Sequence, residues 1–491
     1  MVLARGAVGA LLLICAAAPP VSAKPVDDDP IALAIAELDE GKDEQALARL
    51  DKTLREARTP EAVAAVQPLR AAALASLKRD AEAVTAIKAA YQAAPGADFP
   101  ARYAFFIGNV LGSYDLATAG ADRLLSNFPD GVRNLTSQDV WKFFRIVRAR
   151  KGQGAADDYH VRFAGVGVGA ADPVAHDEIA YLGAAVHLKR GEADRARPLI
   201  DGIEDAQVLS RILTEKRFEP VWASTETRVG PAMARATRAA VTRAEAVFVA
   251  DETSIAGRSA LMQAYQMAGR LAEAEGVGAA FAPATEDIAK IDEAGGWLID
   301  RHASVLRALG REDEADARYR ALRTLKIEER PWLINMIINR VEFLVRDGSY
   351  AKAVPLLDEA ETLAKTYGSP YARQLLRRHR VCVLAGTRQP VEAALAALTE
   401  HVGDSEIVTV QGLQCAGKTD EAAAIMIAEL ASADNAVDLI DSMQPVEAVW
   451  DGDPSIWREA HSRLLARPDV AAAFAKIGRV LPKAYWPKPK P

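Results

Sequence analysis

A glycine followed five residues later by an alanine returns again and again along this chain. The pairs are Gly41 and Ala46, Gly112 and Ala117, Gly191 and Ala196, Gly269 and Ala274, Gly310 and Ala315, Gly348 and Ala353, and Gly417 and Ala422; Lys78 and Ala83 fill the same slots without the glycine. A beat of roughly 30 to 40 residues argues against one closed core, because each unit is too small to bury its apolar face alone and must stack on its neighbours.

Two stretches set the register. Lys78, Ala83 and Pro95 are matched by Gly112, Ala117 and Pro129, each displaced by 34 residues. An apolar helix-forming segment such as 64–77 precedes the turn residue, where glycine accepts the left-handed conformation that ends a helix. A second helix follows, with its alanine where two backbones approach and a proline to stop it. A turn glycine, a small residue five later and a proline about twelve after that resemble the tetratricopeptide repeat. Leu77-Lys78-Arg79-Asp80-Ala81-Glu82-Ala83 and Ala268-Gly269-Arg270-Leu271-Ala272-Glu273-Ala274 resemble the family's inter-helix turn, and Tyr265 stands where the family often has a tyrosine. The resemblance covers about residues 30–435. It implies an all-α fold, an α-solenoid of about ten helix–turn–helix repeats, and a binding role. Most repeats lack the first-helix tryptophan and several lack the closing proline.

The pattern also runs twice. Gly41, Lys78, Gly112, Gly152 and Gly191 are echoed by Gly269, Gly310, Gly348, Gly386 and Gly417, at offsets between 226 and 236. Each series closes on a similar segment, Glu219-Pro220-Val221-Trp222 and Glu447-Ala448-Val449-Trp450, at an offset of 228. The shared Glu-x-Val-Trp favours two similar arms from a tandem duplication, the alternative being that any two runs of such repeats line up loosely; Trp222 and Trp450 are expected to cap exposed apolar ends. The expected organisation is a signal peptide at 1–23, an array at 24–205, a closing segment and connector at 206–250, a second array at 251–435, a second closing segment at 436–484 and an extended tail at 485–491.

Arg5, the apolar run 7–18 and the small residues Val21-Ser22-Ala23 read as a secretory signal, too short to span a bilayer. Ile14 stands before Cys15 where lipidation needs a small residue. Export to a bacterial periplasm, or secretion, is expected. Cys382 and Cys415 then remain, 33 residues apart, and an oxidising compartment permits a disulfide; two buried small hydrophobes are the alternative. A net charge of -7 argues against nucleic-acid binding, which needs a basic surface. No further stretch has the length and apolarity of a membrane span.

Motifs for chemistry are weak. Gly412-Leu413-Gln414-Cys415-Ala416-Gly417-Lys418-Thr419 matches a phosphate loop, with Ile407–Val410 as its strand, but Gly417 and Ala422 already serve the repeat and only 72 residues follow to complete a sheet. Gly165-Val166-Gly167-Val168-Gly169 reads as a connector. The seven histidines are scattered without metal-ligand spacing, no G-x-S-x-G nucleophile occurs, and no cofactor is expected.

Arg373, Arg377 and Arg380 share one side of a first helix, and Asn335 and Asn339 are expected to do the same one repeat earlier. Together they loosely resemble the grooves in which tetratricopeptide proteins hold peptide carboxylates, which suit guanidinium forks; a solvated basic face is the simpler account. The leading expectation is a non-catalytic adaptor in the cell envelope that binds a protein or peptide. The alternatives are a scaffold for polysaccharide synthesis or export that binds acidic glycans, and a hydrolase whose site carries no motif.

Overall fold

The beat is a backbone geometry. In the computed structural model, which describes residues 29–133, 135–168, 173–281, 288–431, 436–448 and 456–487, φ is positive at Gly41, Lys78, Gly112, Gly191, Gly269, Gly310, Gly348 and Gly417. Each residue ends a first helix. The next residue's N–H reaches back to a carbonyl in the last turn, as Lys42 does to Glu37, Arg79 to Leu74 and Lys418 to Leu413, all at 2.8 Å. This left-handed cap satisfies carbonyls that a helix end would leave bare. The alanines five residues on are buried, Ala46, Ala83, Ala117, Ala196, Ala274, Ala353 and Ala422 at 0 % exposure. In one hairpin the small-residue requirement runs both ways: a Cβ on Gly108 would lie 2.3 Å from the Ala117 nitrogen. The signal segment 1–23, Cys15, Trp450 and residues 488–491 lie outside the described residues.

One member of the second series differs. Gly386 lies inside a helix, and the left-handed position falls on Arg388, φ 56°. Gly386 serves packing instead, since a Cβ there would lie 2.3 Å from the Tyr350 ring. Gly152 also departs, with ψ 178° rather than a left-handed cap.

The chain divides into two units, Met1–Ile203 and Glu204–Pro491. The first contains α1 (Pro30–Asp39), α2 (Asp43–Glu56), α3 (Pro60–Ser76), α4 (Asp80–Ala93), α5 (Asp98–Leu111), α6 (Tyr114–Asn127), the short α7 (Pro129–Arg133), α8 (Ser137–Lys151), α9 (Gln153–Val166), α10 (Pro173–Lys189) and α11 (Ala193–Gly202). Helices α4 and α6 stop two residues before Pro95 and Pro129, because a residue preceding proline is pushed out of the helical region. Gly165 and Val166 belong to the last turn of α9, with Gly167 as its left-handed cap, so the glycine run begins inside a helix rather than as a connector. Phe105, Phe143 and Phe163 are fully buried at the centre of this unit, Phe143 lying 5.3 Å from Phe105 and 5.6 Å from Phe163 between ring centroids.

The second unit contains α12 (Ala206–Thr214), α13 (Trp222–Val229), α14 (Ala234–Ala250), α15 (Ile255–Met267), α16 (Leu271–Ala279), α17 (Glu293–Ala308), α18 (Glu312–Leu322), α19 (Leu333–Arg346), α20 (Tyr350–Tyr367), α21 (Pro370–Gly386), α22 (Glu392–Glu400), α23 (Glu406–Cys415), α24 (Thr419–Leu430), α25 (Ala436–Ser442), α26 (Ile456–Leu465) and α27 (Pro468–Phe474). Four first helices here are capped by a side-chain oxygen: Ser254 accepts from the Gly257 N–H, Asp292 from Gly295, Ser369 from Ala372 and Ser405 from Val408. Among the described residues no β-strand forms; a single antiparallel bridge joins Glu215 to Gly478.

That bridge shows where the closing segments go. The Lys216 N–H donates to the Ile477 carbonyl and the Arg479 N–H to Thr214, each at 2.8 Å. The Arg479 guanidinium lies 3.6 Å from the Trp222 ring centroid and donates to Glu226 at 2.7 Å, while the Trp222 indole N–H donates to Ile212 at 2.8 Å. The expected cap of the first arm is thus built into the second unit, because the two closing segments bind each other. Tyr485 falls in a short 3₁₀ helix, Lys483–Tyr485, and the Trp486 indole donates to Leu481 at 2.6 Å, so the segment expected to be an extended tail begins folded.

Candidate functional site

The five groove residues do not form one surface. Asn335 and Asn339 stand thirteen and nine residues before the left-handed Gly348, whereas Arg373, Arg377 and Arg380 stand fifteen, eleven and eight before Arg388. Arg377 and Asn339 are thus two slots apart in the repeat, and two residues turn a helix by about 200°. The pairing matches this. Asn339 Nδ2 donates to Asp300 Oδ1 on α17 at 3.0 Å. Arg373 Nη1 donates to the Gly368 carbonyl at 2.6 Å, and Arg377 Nη1 to Gln374 at 3.0 Å and to Asp404 at 3.2 Å. Arg380 is held by Glu361 and Asp358 of α20, at 2.7 and 2.5 Å, and the Glu361 hydrogen bond first among them keeps its pKa raised. Arg377 and Arg380 are already paired with the chain's own carboxylates, while Arg373 is turned back onto a backbone carbonyl. Asn335 is half-buried on α19.

The charge that matters structurally is the arginine between them. Arg378 is 3 % exposed and reaches Glu342 on α19, Gln411 on α23 at 2.5 Å, and the face of Trp457 on α26, 4.3 Å from its centroid. Glu342 also takes the Trp457 indole N–H at 2.5 Å and lies 2.6 Å from His379 Nε2. Burial would push the Glu342 carboxyl up, but Arg378, His379 and Trp457 together hold it well below the ordinary carboxylate range. Burial and the adjacent Arg378 charge lower the His379 pKa, and its Nε2 lies between the Glu342 carboxylate and the Arg378 guanidinium, 2.6 and 2.5 Å away. This ties three successive first helices to α26. Sequence reasoning missed it, since Glu342 and Trp457 are 115 residues apart.

Close by, Cys382 and Cys415 form a disulfide with their Cα atoms 5.0 Å apart, linking α21 to α23. The phosphate-loop match is a hairpin turn: 406–415 is helix, not strand, and Gly417 is the left-handed residue between α23 and α24.

A cleft opens between α18, α19 and α20. Helix α18 stops after 11 residues while its counterpart α20 runs for 18, so the end of α20 has no helix of equal length beside it. The result is a cavity of about 270 Å³. Leu322, Leu333, Met336, Ile337, Leu356 and Leu363 supply apolar walls. At its mouth Arg323 pairs with Glu359 at 2.7 Å, and Arg340 pairs with Asp316 at 2.6 Å. The arrangement can take an apolar group beside the charged side chains of Arg323, Lys326, Glu328 and Glu359. Trp297 is 41 % exposed, whereas the Trp332 ring lies against Gly296, where a Cβ would come within 2.3 Å. Phe105 and Phe106 belong to the core of the first unit. Among the described residues, no group of three histidine, cysteine or carboxylate side chains could hold a metal ion, and no helix is long and apolar enough to cross a membrane.

No family model matches this chain, and no curated protein matches it. Solved structures do align. The crystal structure of yeast Tom70 aligns at 12 % identity and a TM-score of 0.35, over 92 % of this chain and 100 % of that one. The APC/C hetero-tetramer Cut9–Hcn1 aligns at 12 % identity and 0.28, over 93 % and 92 %. The P58(IPK) TPR domain aligns at 12 % identity and 0.18, over 90 % and 98 %. Likenesses this loose carry no argument about what the chain binds.

Proposed function

We propose that the chain is a non-catalytic, tetratricopeptide-like scaffold of the cell envelope that holds a protein or peptide partner through an apolar anchor residue. The observation that carries this is the largely apolar cleft between α18, α19 and α20. A preformed apolar concavity with a few polar groups at its mouth is the usual character of a recognition site. Burying one leucine- or phenylalanine-sized side chain there contributes about 1.5–3 kcal/mol, or roughly tenfold to a hundredfold in affinity. Export rests on the signal pattern at 1–23, and the Cys382–Cys415 bond suits an oxidising compartment.

Selection of a displayed random-peptide library on the purified chain tests the reading. Enriched peptides should share an apolar residue and bind about tenfold or more weakly when Leu363→Trp fills the cleft. Peptides without a common apolar position, or equal binding to both proteins, would remove the cleft as the site.

A further inference from the structure

Helix α8 of the first unit carries a second surface of opposite character. Its sequence, SQDVWKFFRIVRARK, has five cations and one acid. Val140, Phe143 and Val147 are fully buried and Phe144 is 3 % exposed. On the other side, Trp141, Lys142, Arg145 and Arg148 fall within an arc of about 120°. Arg145, Arg148 and Arg150 are exposed, while Trp141 and Lys142 are half-buried.

Many arginines elsewhere in the chain are ion-paired, as Arg49, Arg307 and Arg380 are, whereas these cations are not. Among the described residues no carboxylate lies within ion-pair distance of Lys142, Arg145, Arg148 or Arg150. Lys151 sits over the Tyr114 ring, 5.4 Å from its centroid. The single acid, Asp139, lies one turn before Lys142 and is engaged by the Thr136 hydroxyl of the N-cap. Cations in the last turn are expected, because they oppose the helix dipole. That accounts for Arg148, Arg150 and Lys151. It does not account for Lys142 and Arg145, which lie in the middle, one turn apart. Burial and the neighbouring Arg145 charge both depress the Lys142 pKa, partly offset by Asp139. A chain of net charge -7 has therefore concentrated unneutralised positive charge on one helix face.

We propose that this face of α8 docks an acidic polypeptide segment of a partner protein. Carboxylates one helical turn apart would meet Lys142, Arg145 and Arg148 in register, and guanidinium is the side-chain group best shaped for carboxylate oxygens. The half-buried Trp141 edge between the arginines suits an apolar residue beside those carboxylates. Its ring packs against Phe144 at 5.7 Å between centroids, as part of the core margin. That placement favours a polypeptide over a sugar, which needs a free ring to stack upon. The site differs from the α18–α20 cleft in location and chemistry, so either stands if the other fails.

The test uses the full chain and a fluorescein-labelled Glu-Glu-Leu repeat peptide, with polygalacturonate and phosphatidylglycerol vesicles as competing probes. The peptide should bind, and weaken about tenfold as salt rises from about 50 to about 200 mM. Arg145→Glu/Arg148→Glu should cost about tenfold or more, while the equally charged control Lys52→Glu/Lys88→Glu should cost far less. Arg145→Gln/Arg148→Gln decides the matter if the glutamate variant melts abnormally; it should bind at an intermediate strength. Peptide binding unchanged in the glutamine variant would overturn the proposal. So would binding of the polysaccharide or the vesicles, but not the peptide, through these arginines.

Discussion

Replacing Glu342 by glutamine removes one charge from the network that joins α19, α21 and α26, with little change of shape. Arg378 then remains 3 % exposed, with Gln411 and the Trp457 ring as its surviving partners. Breaking a buried pair by removing one member costs about 3–5 kcal/mol, because the other charge stays desolvated. The Glu342 side chain keeps 21 % of its exposure, which lets water reach part of the site, so about 3 kcal/mol is expected. Removing both charges with Glu342→Gln/Arg378→Met should return most of that loss. The assay is urea unfolding combined with hydrogen exchange by mass spectrometry, since the two units need not unfold together. Peptides from α19, α21 and α26 should lose protection in the single variant and regain it in the double. A single-variant cost below about 0.5 kcal/mol, within the range of surface substitutions, would mean that Arg378 is solvated and the network does not hold the helices together.

Gly276 has open space where a Cβ would go, so Gly276→Ala should stabilise by about 0.5–1 kcal/mol; Gly108→Ala drives a Cβ into the Ala117 backbone and should destabilise by about 1–3 kcal/mol, both read from urea midpoints. The Cys382–Cys415 bond closes a loop with a sequence separation of 33, and Cys382→Ser/Cys415→Ser should cost about 3–4 kcal/mol, while the unreduced wild-type chain should show no titratable thiol at these positions in denaturant. Burial pushes His160, His302 and His461 down to about 4. The unfolded chain takes up those protons first, so stability should be full above about pH 6.5 and fall as pH drops from there towards 4, seen as lower urea midpoints at about pH 5 than at about pH 7.5.

The hairpins were legible because glycine has a backbone reason to stand at a left-handed turn. The same rule misplaced one turn: Arg388 takes the left-handed position at a conformational cost, while Gly386 answers a steric demand from Tyr350 that sequence does not display. That slip of two residues set the arginines and asparagines side by side on paper and on different sides of their helices in the protein. The Arg378 network was hidden for another reason. Its glutamate, arginine and tryptophan come from helices whose adjacency depends on how α26 returns to the stack, and nothing local in the chain specifies that return. Likewise, Trp222 is readable as a residue needing cover, but not as one covered by Arg479 from the far end of the chain. The α18–α20 cleft arises from a difference in helix length, which capping residues alone did not reveal.

The most direct test of the scaffold reading is a crosslinking map. A selected peptide whose apolar anchor is replaced by a photoreactive phenylalanine analogue should, on irradiation with the full chain, attach at residues of the cleft wall such as Ile337 and Leu363. Attachment confined to other surfaces, with those walls unmodified, would contradict the account.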